Sequence, residues 1–321
     1  MNREINEIIE DVQTLKIQGA TKIAKTIIDA IVKCRKDIAK RSNDKDEFIR
    51  NIQNIAKKLS IAQPIESMGQ NIIGSIIFEL QDPSVRNIND CSNVVKNVSN
   101  KLNRTIEENE KTFIENGTKL ISSMEKKTRA LNIFTHCYSS AVRNIFEKAD
   151  DANIDMKIFN METRPVFQGR LTAKKLSEIG INVTMCLDSA APFVVSKKSG
   201  RELDIDLVLI GADSISLNGS TINKIGGYGM SLSAFHENIP VYVVTSLLKI
   251  KKGQNDFMDI PVETRAFKDI WPEAPIGINI MNLAFDVIPS EFITGFITEF
   301  GIIKPEEIKE IVKKDYPRLM H

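Results

Sequence analysis

The sequence predicts an α/β protein: a mostly helical N-terminal domain over residues 1–128, then a parallel-sheet domain over residues 129–321. Three observations carry this reading. Up to about residue 128 the apolar residues recur at spacings of three and four, the period of an amphipathic helix. After Arg129, short apolar runs alternate with helix-like segments of roughly 10–15 residues, the grammar of successive βαβ units. At 321 residues the chain is also too long for one ordinary core, so two domains are expected.

In the first part, "INEIIEDVQTLKI" and "KIAKTIIDAIVKC" are amphipathic helices, parted at "IQGAT" where Gly19 breaks the pattern. "DKDEFIRNIQNIAKKL" is a further helix. "IAQPIESMGQN" is a Pro/Gly-marked connection, and "VVKNVSNKLNRTIEENEKTFIENGTKLISSM" a long amphipathic stretch. In the second part the expected strands are "ALNIFT" (130–135), "MKIFNM" (156–161), "INVTMCL" (181–187), "IDLVLIG" (205–211) and "PVYVVTS" (240–246). Between them "SSAVRNIFEKA", "LTAKKLSEIG" and "INKIGGYGMSLSAFHE" read as helices. Such an order implies a Rossmann-like parallel sheet covered on both faces. Right-handed crossovers then align the strand C-terminal ends along the edge where open α/β sheets bind ligands.

Composition narrows the function classes. Hydrophobic residues at 42% and charged residues at 26% fit a soluble globular protein. A net charge of +1 gives no broad electrostatic footprint for nucleic acid or an anionic membrane. Cys34, Cys91, Cys137 and Cys186 are scattered, without a C-x-x-C pair or zinc-like spacing to the three histidines. No stretch reaches the roughly 18 apolar residues of a membrane span, and "MNREINEIIEDVQ" lacks the apolar core of a signal peptide. Reduced thiols in a cytoplasm are the expectation.

The candidate chemistry lies just past the strands. "THCYSS", "ETRPVFQG", "DSAAP", "GADSISLNG" and "TSLLKIKKG" follow the five runs in turn and bring a thiol, carboxylates, a guanidinium and amines. Singly, each has an ordinary reading. Cys137 fits a small core residue, Asp213 a turn cap, and Arg164 a bridge to Glu162. Lys224 and Lys249 fit solvated surface groups, His136 a structural role, and "GGYGM" helix packing. Five strand ends in succession point instead to one site assembled on one edge.

In that order, "THCYSSAV", "ETRPVFQGRLTAKKLSEIGI", "LDSAA", "GADSISLNGSTINKIG" and "NLAFDVIPSEFITGFITEFGII" carry a resemblance over residues 130–310, with a fainter one at "KIQGATKIAK" (16–25). The chain resembles the family that unites the α/β/δ regulatory subunits of translation initiation factor 2B with two sugar-phosphate isomerases. These are ribose-1,5-bisphosphate isomerase, whose archaeal members it is most similar to, and methylthioribose-1-phosphate isomerase. The resemblance implies an aldose–ketose isomerase of a phosphorylated pentose, working without metal or organic cofactor. Its catalytic pair is then Cys137 and Asp213. Its substrate-contacting positions are Gly19, Ala20, Thr21, Lys22, Arg164, Gln168, Gly169, Asn223, Lys224 and Lys249.

One group must carry the proton from C2 to C1 while another serves the ring and hydroxyl oxygens. A Cys137 thiolate, its pKa lowered by Arg164, Lys224 or a helix N-terminus, suits the first task. A partly desolvated Asp213 suits the second. A homodimer, or a hexamer built as a trimer of dimers, is also implied. The alternative is a non-catalytic subunit that binds initiation factor 2, or a nucleotide or sugar-phosphate ligand. Two positions depart from the bisphosphate isomerase, where Gln18 and Gln63 replace family arginines.

Overall fold

The structure is a computed structural model that describes residues 2–14, 16–62, 65–197, 203–257 and 263–321. Gln63 lies outside the described residues. Five helices come first: α1 (Asn2–Gln13), α2 (Ala20–Arg41), α3 (Lys45–Ala62), α4 (Ser67–Leu80) and α5 (Ile88–Ser123). They enclose one apolar cluster built from their inward stripes, including Ile28, Ile31, Phe48, Ile52, Met68 and Ile76. The start of α5 is fixed by a reciprocal cap. Asn87 accepts the Asp90 N–H, and Asp90 accepts the Asn87 N–H.

At 36 residues α5 spans about 54 Å, long enough to run from the helical cluster onto the sheet. Its contact with the next helix is close. A Cβ on Gly117 would sit 2.3 Å from Ile145 Cδ1, so no larger residue fits there without displacement.

From Leu131 the chain alternates as the periodicity predicts: β1 (Leu131–Thr135), α6 (Ser140–Asp151), β2 (Met156–Met161), α7 (Gln168–Glu178), β3 (Asn182–Cys186), α8 (Ala191–Val195) and β4 (Leu207–Ile210). Two short strands follow, β5 (Ser214–Ile215) and β6 (Thr221–Lys224), then α9 (Gly227–His236) and β7 (Val241–Val244). The last elements are β8 (Phe285–Ile288), β9 (Gly295–Thr298), β10 (Gly301–Ile303) and α10 (Ile308–Asp315).

The main sheet has the order β10-β9-β7-β4-β1-β2-β3 and is parallel except at its β10 edge. Alternate residues face opposite layers, as the two-residue strand period requires. Ile133, Ile158, Leu207 and Leu209 pack under α5, α6 and α7, whereas Phe134, Phe159, Val208 and Ile210 join α9 and α10.

The segment "INKI", read from sequence as the start of a helix, is strand instead. β6 pairs antiparallel with β5 and β8 in a separate three-stranded sheet, and the helix begins only at Gly227. Four residues with a single buried apolar one, Ile222, leave too little periodicity to distinguish the two states. "IGINIMNLAFDVI" divides as well: Ile276, Ile278 and Met281 are exposed, while Phe285 and Ile288 are buried in β8.

Candidate active site

Strand order reverses between β1 and β4. From β1 the chain proceeds outward to β2 and β3, and from β4 outward to β7 and β9. Carboxyl ends flanking such a reversal leave a crevice, because their loops turn away in opposite directions. A cleft of about 680 Å³, part of it open solvent, occupies this position.

Nine of the twelve expected site residues line it: Cys137 after β1, Asp213 after β4, Gln168 at the start of α7, and Asn223 and Lys224 on β6, with Lys249 after β7 and Gly19, Ala20 and Thr21 entering α2. The five strand ends therefore do not contribute equally.

Cys137 is held in an unusual backbone state, with φ of 63°. The left-handed region costs a non-glycine residue about 1 kcal/mol and persists only where neighbours fix it. Here the Cys137 N–H donates to Thr163 Oγ1 at 2.9 Å, and the Thr172 hydroxyl donates to the Cys137 carbonyl at 2.6 Å. Thr163 is positioned in turn by Asp188, whose carboxylate accepts the N–H groups of Thr163 at 2.8 Å and Arg164 at 2.7 Å. The acid of "DSAAP" is thus a buttress for the turn after β2, one step removed from the cleft. The Cys137 thiol donates to Gln168 Oε1 at 3.5 Å, and Gln168 Nε2 donates to Gln18 Oε1 at 2.9 Å.

The thiol's ionisation differs from the sequence expectation. Burial pushes Cys137 up to about 11, Lys224 pulls it down by less, and the Asp213 charge adds to the rise. Arg164 takes no part. It is exposed, with its guanidinium 5.1 Å from the Phe167 ring, and Glu162 pairs with Arg170 at 2.9 Å. With the expected arginine absent and the cleft desolvated, the neutral thiol is favoured.

Burial likewise raises Asp213, against the opposing charges of Lys224, Lys249 and Arg265. Lys224 and Lys249, 5% and 8% exposed, are both shifted down by desolvation. The two lysines, expected among the substrate contacts, are therefore buried in the floor of the cleft and not solvated on the surface. Lys224 Nζ lies 4.1 Å from the Phe285 ring and interacts electrostatically with both Cys137 and Asp213. Lys249 Nζ donates to the Ala212 carbonyl at 2.7 Å.

Two further expected positions fall elsewhere. Lys22 is exposed on α2 and does not line the cleft. Gly169 is a packing position: a Cβ there would lie 1.7 Å from the Met161 carbonyl oxygen, so only glycine lets α7 approach β2.

Sequence reasoning missed Arg265, Phe285 and the cleft-facing side of His136. Arg265 and Phe285 come from a region without the strand–helix alternation that marked the other candidates. His136, fully buried, pairs through Nε2 with the Lys224 carbonyl at 3.0 Å, and burial lowers its pKa. A neutral imidazole thereby ties the end of β1 to β6. Among the described residues no cluster of three or more His, Cys, Asp or Glu side chains is arranged to hold a metal ion.

The arrangement offers a thiol proton, a carboxyl group of raised pKa and buried cations within one cleft. These are parts for proton transfer at a carbon beside an anionic group.

Comparison with known proteins agrees with this architecture. The model of the Initiation factor 2 subunit family matches residues 16–305. Methylthioribose-1-phosphate isomerase of Trichoplax adhaerens is 32% identical over 94% of this chain and 88% of its own length. Ribose 1,5-bisphosphate isomerase of Methanocaldococcus jannaschii is 30% identical, with 97% and 94% covered. Among solved structures, translation initiation factor eIF-2B of Pyrococcus horikoshii OT3 superposes with a TM-score of 0.76, covering 95% of this chain and 98% of that one. At 24% identity this last likeness speaks to the fold.

Proposed function

The chain belongs to the Initiation factor 2 subunit family, and from that premise we propose that it is an aldose–ketose isomerase of a phosphorylated pentose. The observation that carries the reading is the placement of Cys137 and Asp213 in one cleft, on either side of the strand-order reversal, with Lys224 facing both.

In an aldose 1-phosphate the ring oxygen must gain a proton as its bond to C1 breaks. C2 must lose a proton, and C1 must finally gain one. A neutral Cys137 thiol supplies the first proton. The thiolate so formed, beside Lys224, takes the proton from C2 and returns it to C1. Asp213 accepts the proton leaving the O2 hydroxyl as the C2 carbonyl forms and passes it back to sulfur. Protons balance, and the net change is a hydrogen moved from C2 to C1. Lys224, Lys249, Arg265 and the first-turn N–H groups of α2, which have no partner within the helix and no side-chain cap, receive the phosphate. Gln168 holds the thiol, and Asn223, whose buried Nδ2 has no partner among the described residues, is left to meet a substrate oxygen.

The test is proton NMR in D₂O on a panel of aldose 1-phosphates, comparing wild type with Cys137→Ser and Asp213→Asn. Formation of the ketose 1-phosphate with the C2 hydrogen kept at C1, lost in both variants, is the expected result. Absence of turnover and of solvent exchange with every sugar phosphate, together with binding to initiation factor 2, would establish the non-catalytic alternative.

We also infer self-association through the sheet domain. Leu187, Phe193, Tyr228 and Phe235 are large exposed apolar residues, and Phe292 meets the ring of Tyr228 edge-on and that of Phe235 at a tilt. Analytical ultracentrifugation distinguishes a monomer from the dimer or hexamer expected.

A further inference from the structure

The start of α4 reaches from the helical cluster to the floor of the cleft and is fastened there at several points. The Ser67 N–H donates to the Asp213 carbonyl at 3.5 Å, and the Ser67 and Ser214 hydroxyls share a 2.6 Å hydrogen bond. The Ser214 hydroxyl also reaches the Ile65 carbonyl. One turn on, Asn71 Nδ2 donates to the carbonyls of Leu248 at 2.8 Å and Ile250 at 2.7 Å, the two residues that bracket Lys249. Lys249 closes the ring through the Ala212 carbonyl. Within this ring sits Glu66, 3% exposed, whose carboxylate caps α4 by accepting the N–H groups of Met68 at 2.6 Å and Gly69 at 2.9 Å.

We propose that the first turn of α4 is the positioning element of the cleft floor. Its clamps fix the loops that carry Asp213 and Lys249, and the Glu66 carboxylate sets how much positive charge Lys249 presents to an anionic substrate. Glu66 is a positioning residue, acting through Lys249, and the inference rests on the sugar-phosphate reading of the cleft.

The charged groups facing Glu66 are Lys249, Asp213 and Lys251. On its far side α1, α2 and α3 present apolar residues such as Ile8, Ile27 and Leu59, with the Ser60 hydroxyl and Gln70 amide as the polar neighbours there among the described residues. Lys249 additionally faces Glu110 and Glu299. Burial moves Glu66 up to about 7, so its charge changes across neutral pH. Below that value the carboxyl is neutral and one anion fewer faces Lys249; above it a further anion lies beside the lysine and opposes an incoming one.

Sulfate is a suitable probe, because it remains a dianion between pH 6 and 8 while phosphate titrates. Calorimetry on the full chain should show sulfate binding weakened about fivefold from pH 6 to pH 8. In Glu66→Gln the pH 6 affinity should persist at pH 8, and adding Lys249→Met should erase the effect of Glu66→Gln. Asn71→Ala loosens the clamp without touching charge, so it should lower kcat yet keep the wild-type pH dependence of sulfate binding. A wild-type affinity that is flat across pH 7, or a Glu66→Gln effect that survives Lys249→Met, overturns the inference. If wild type turns over an aldose phosphate and its KM has the same pH dependence as that of Glu66→Gln, the inference alone fails. If folded wild type binds no sulfate at either pH, the inference and the sugar-phosphate reading fail together.

Discussion

The Cys137 thiol donates to Gln168 Oε1, and Gln168 donates onward to Gln18, so a strand end, a helix start and the N-terminal loop meet in one relay. A thiolate has no proton to donate, and Gln168 Oε1 is an acceptor. The relay therefore selects the protonated thiol, in agreement with the rise of Cys137 to about 11. Alkylation of Cys137 by iodoacetamide, followed by mass spectrometry, should be at least about tenfold slower at pH 8 than that of a free cysteine with pKa about 8.5. The rate should still be climbing at pH 10. A plateau reached by pH 8 would show an activated thiolate and exclude the thiol-first proton path.

The two arginines near the site should behave differently. Arg265 lines the cleft, half-buried beside Phe285 and 3.4 Å from Glu263, whereas Arg164 is exposed outside it. Removing a charge-assisted contact to a phosphate costs roughly 1.5–3 kcal/mol. Arg265→Ala should therefore raise KM for a sugar phosphate by at least about tenfold, with its thermal unfolding temperature little changed. Arg164→Ala should leave KM within about twofold of wild type, as expected for an exposed charge outside the cleft. Equal effects of the two substitutions would place the phosphate elsewhere.

Gly169→Ala separates a packing role from a ligand role. The added methyl meets the Met161 carbonyl, part of the backbone of β2, which cannot swing aside as a side chain does. The expected outcome is a loss of stability of at least about 3 kcal/mol in urea denaturation, the scale of severe overpacking. Any fraction that folds should keep the wild-type KM. A stable variant with a raised KM would restore Gly169 to the substrate contacts.

What the sequence made legible follows from periodicity. Strands β1, β2, β3, β4 and β7 each carry four to six apolar-rich residues between clear breaks, and their polar followers named Cys137, Asp213, Gln168 and Lys249 in advance. β6 and β8 are short antiparallel pieces without that signature, so the sheet that presents Lys224 and the residue stacked on it, Phe285, stayed hidden. Ionisation was hidden too, because it depends on which cation reaches the thiol. The "ETRP" arginine is adjacent in sequence order but turns outward onto Phe167. Glu66 could not be separated from any other helix-capping acid until the loops of Asp213 and Lys249 were seen fastened around it.

Asp286 offers a test of how the hidden sheet supports the site. It pairs with Asn223 across β6 and β8, and its Oδ2 accepts the N–H groups of Gly226 at 2.8 Å and Tyr228 at 2.9 Å, capping α9 where the chain leaves β6. Its other oxygen is buried without a partner among the described residues, and burial raises the group to about 6 despite the N–H groups that oppose the rise. A carboxyl whose pKa is higher folded than unfolded contributes most below the unfolded value, near 3.9, and that contribution is lost as pH rises through about 6. Asp286→Asn keeps an oxygen for the cap and cannot ionise. The stability of Asp286→Asn relative to wild type should therefore increase between pH 4 and pH 7, by on the order of 2 kcal/mol. Urea unfolding of both proteins at each pH measures it, and groups common to both cancel. A difference that does not change with pH would mean that Asp286 titrates at its unfolded value, and that the end of β6 is far better solvated than its burial implies.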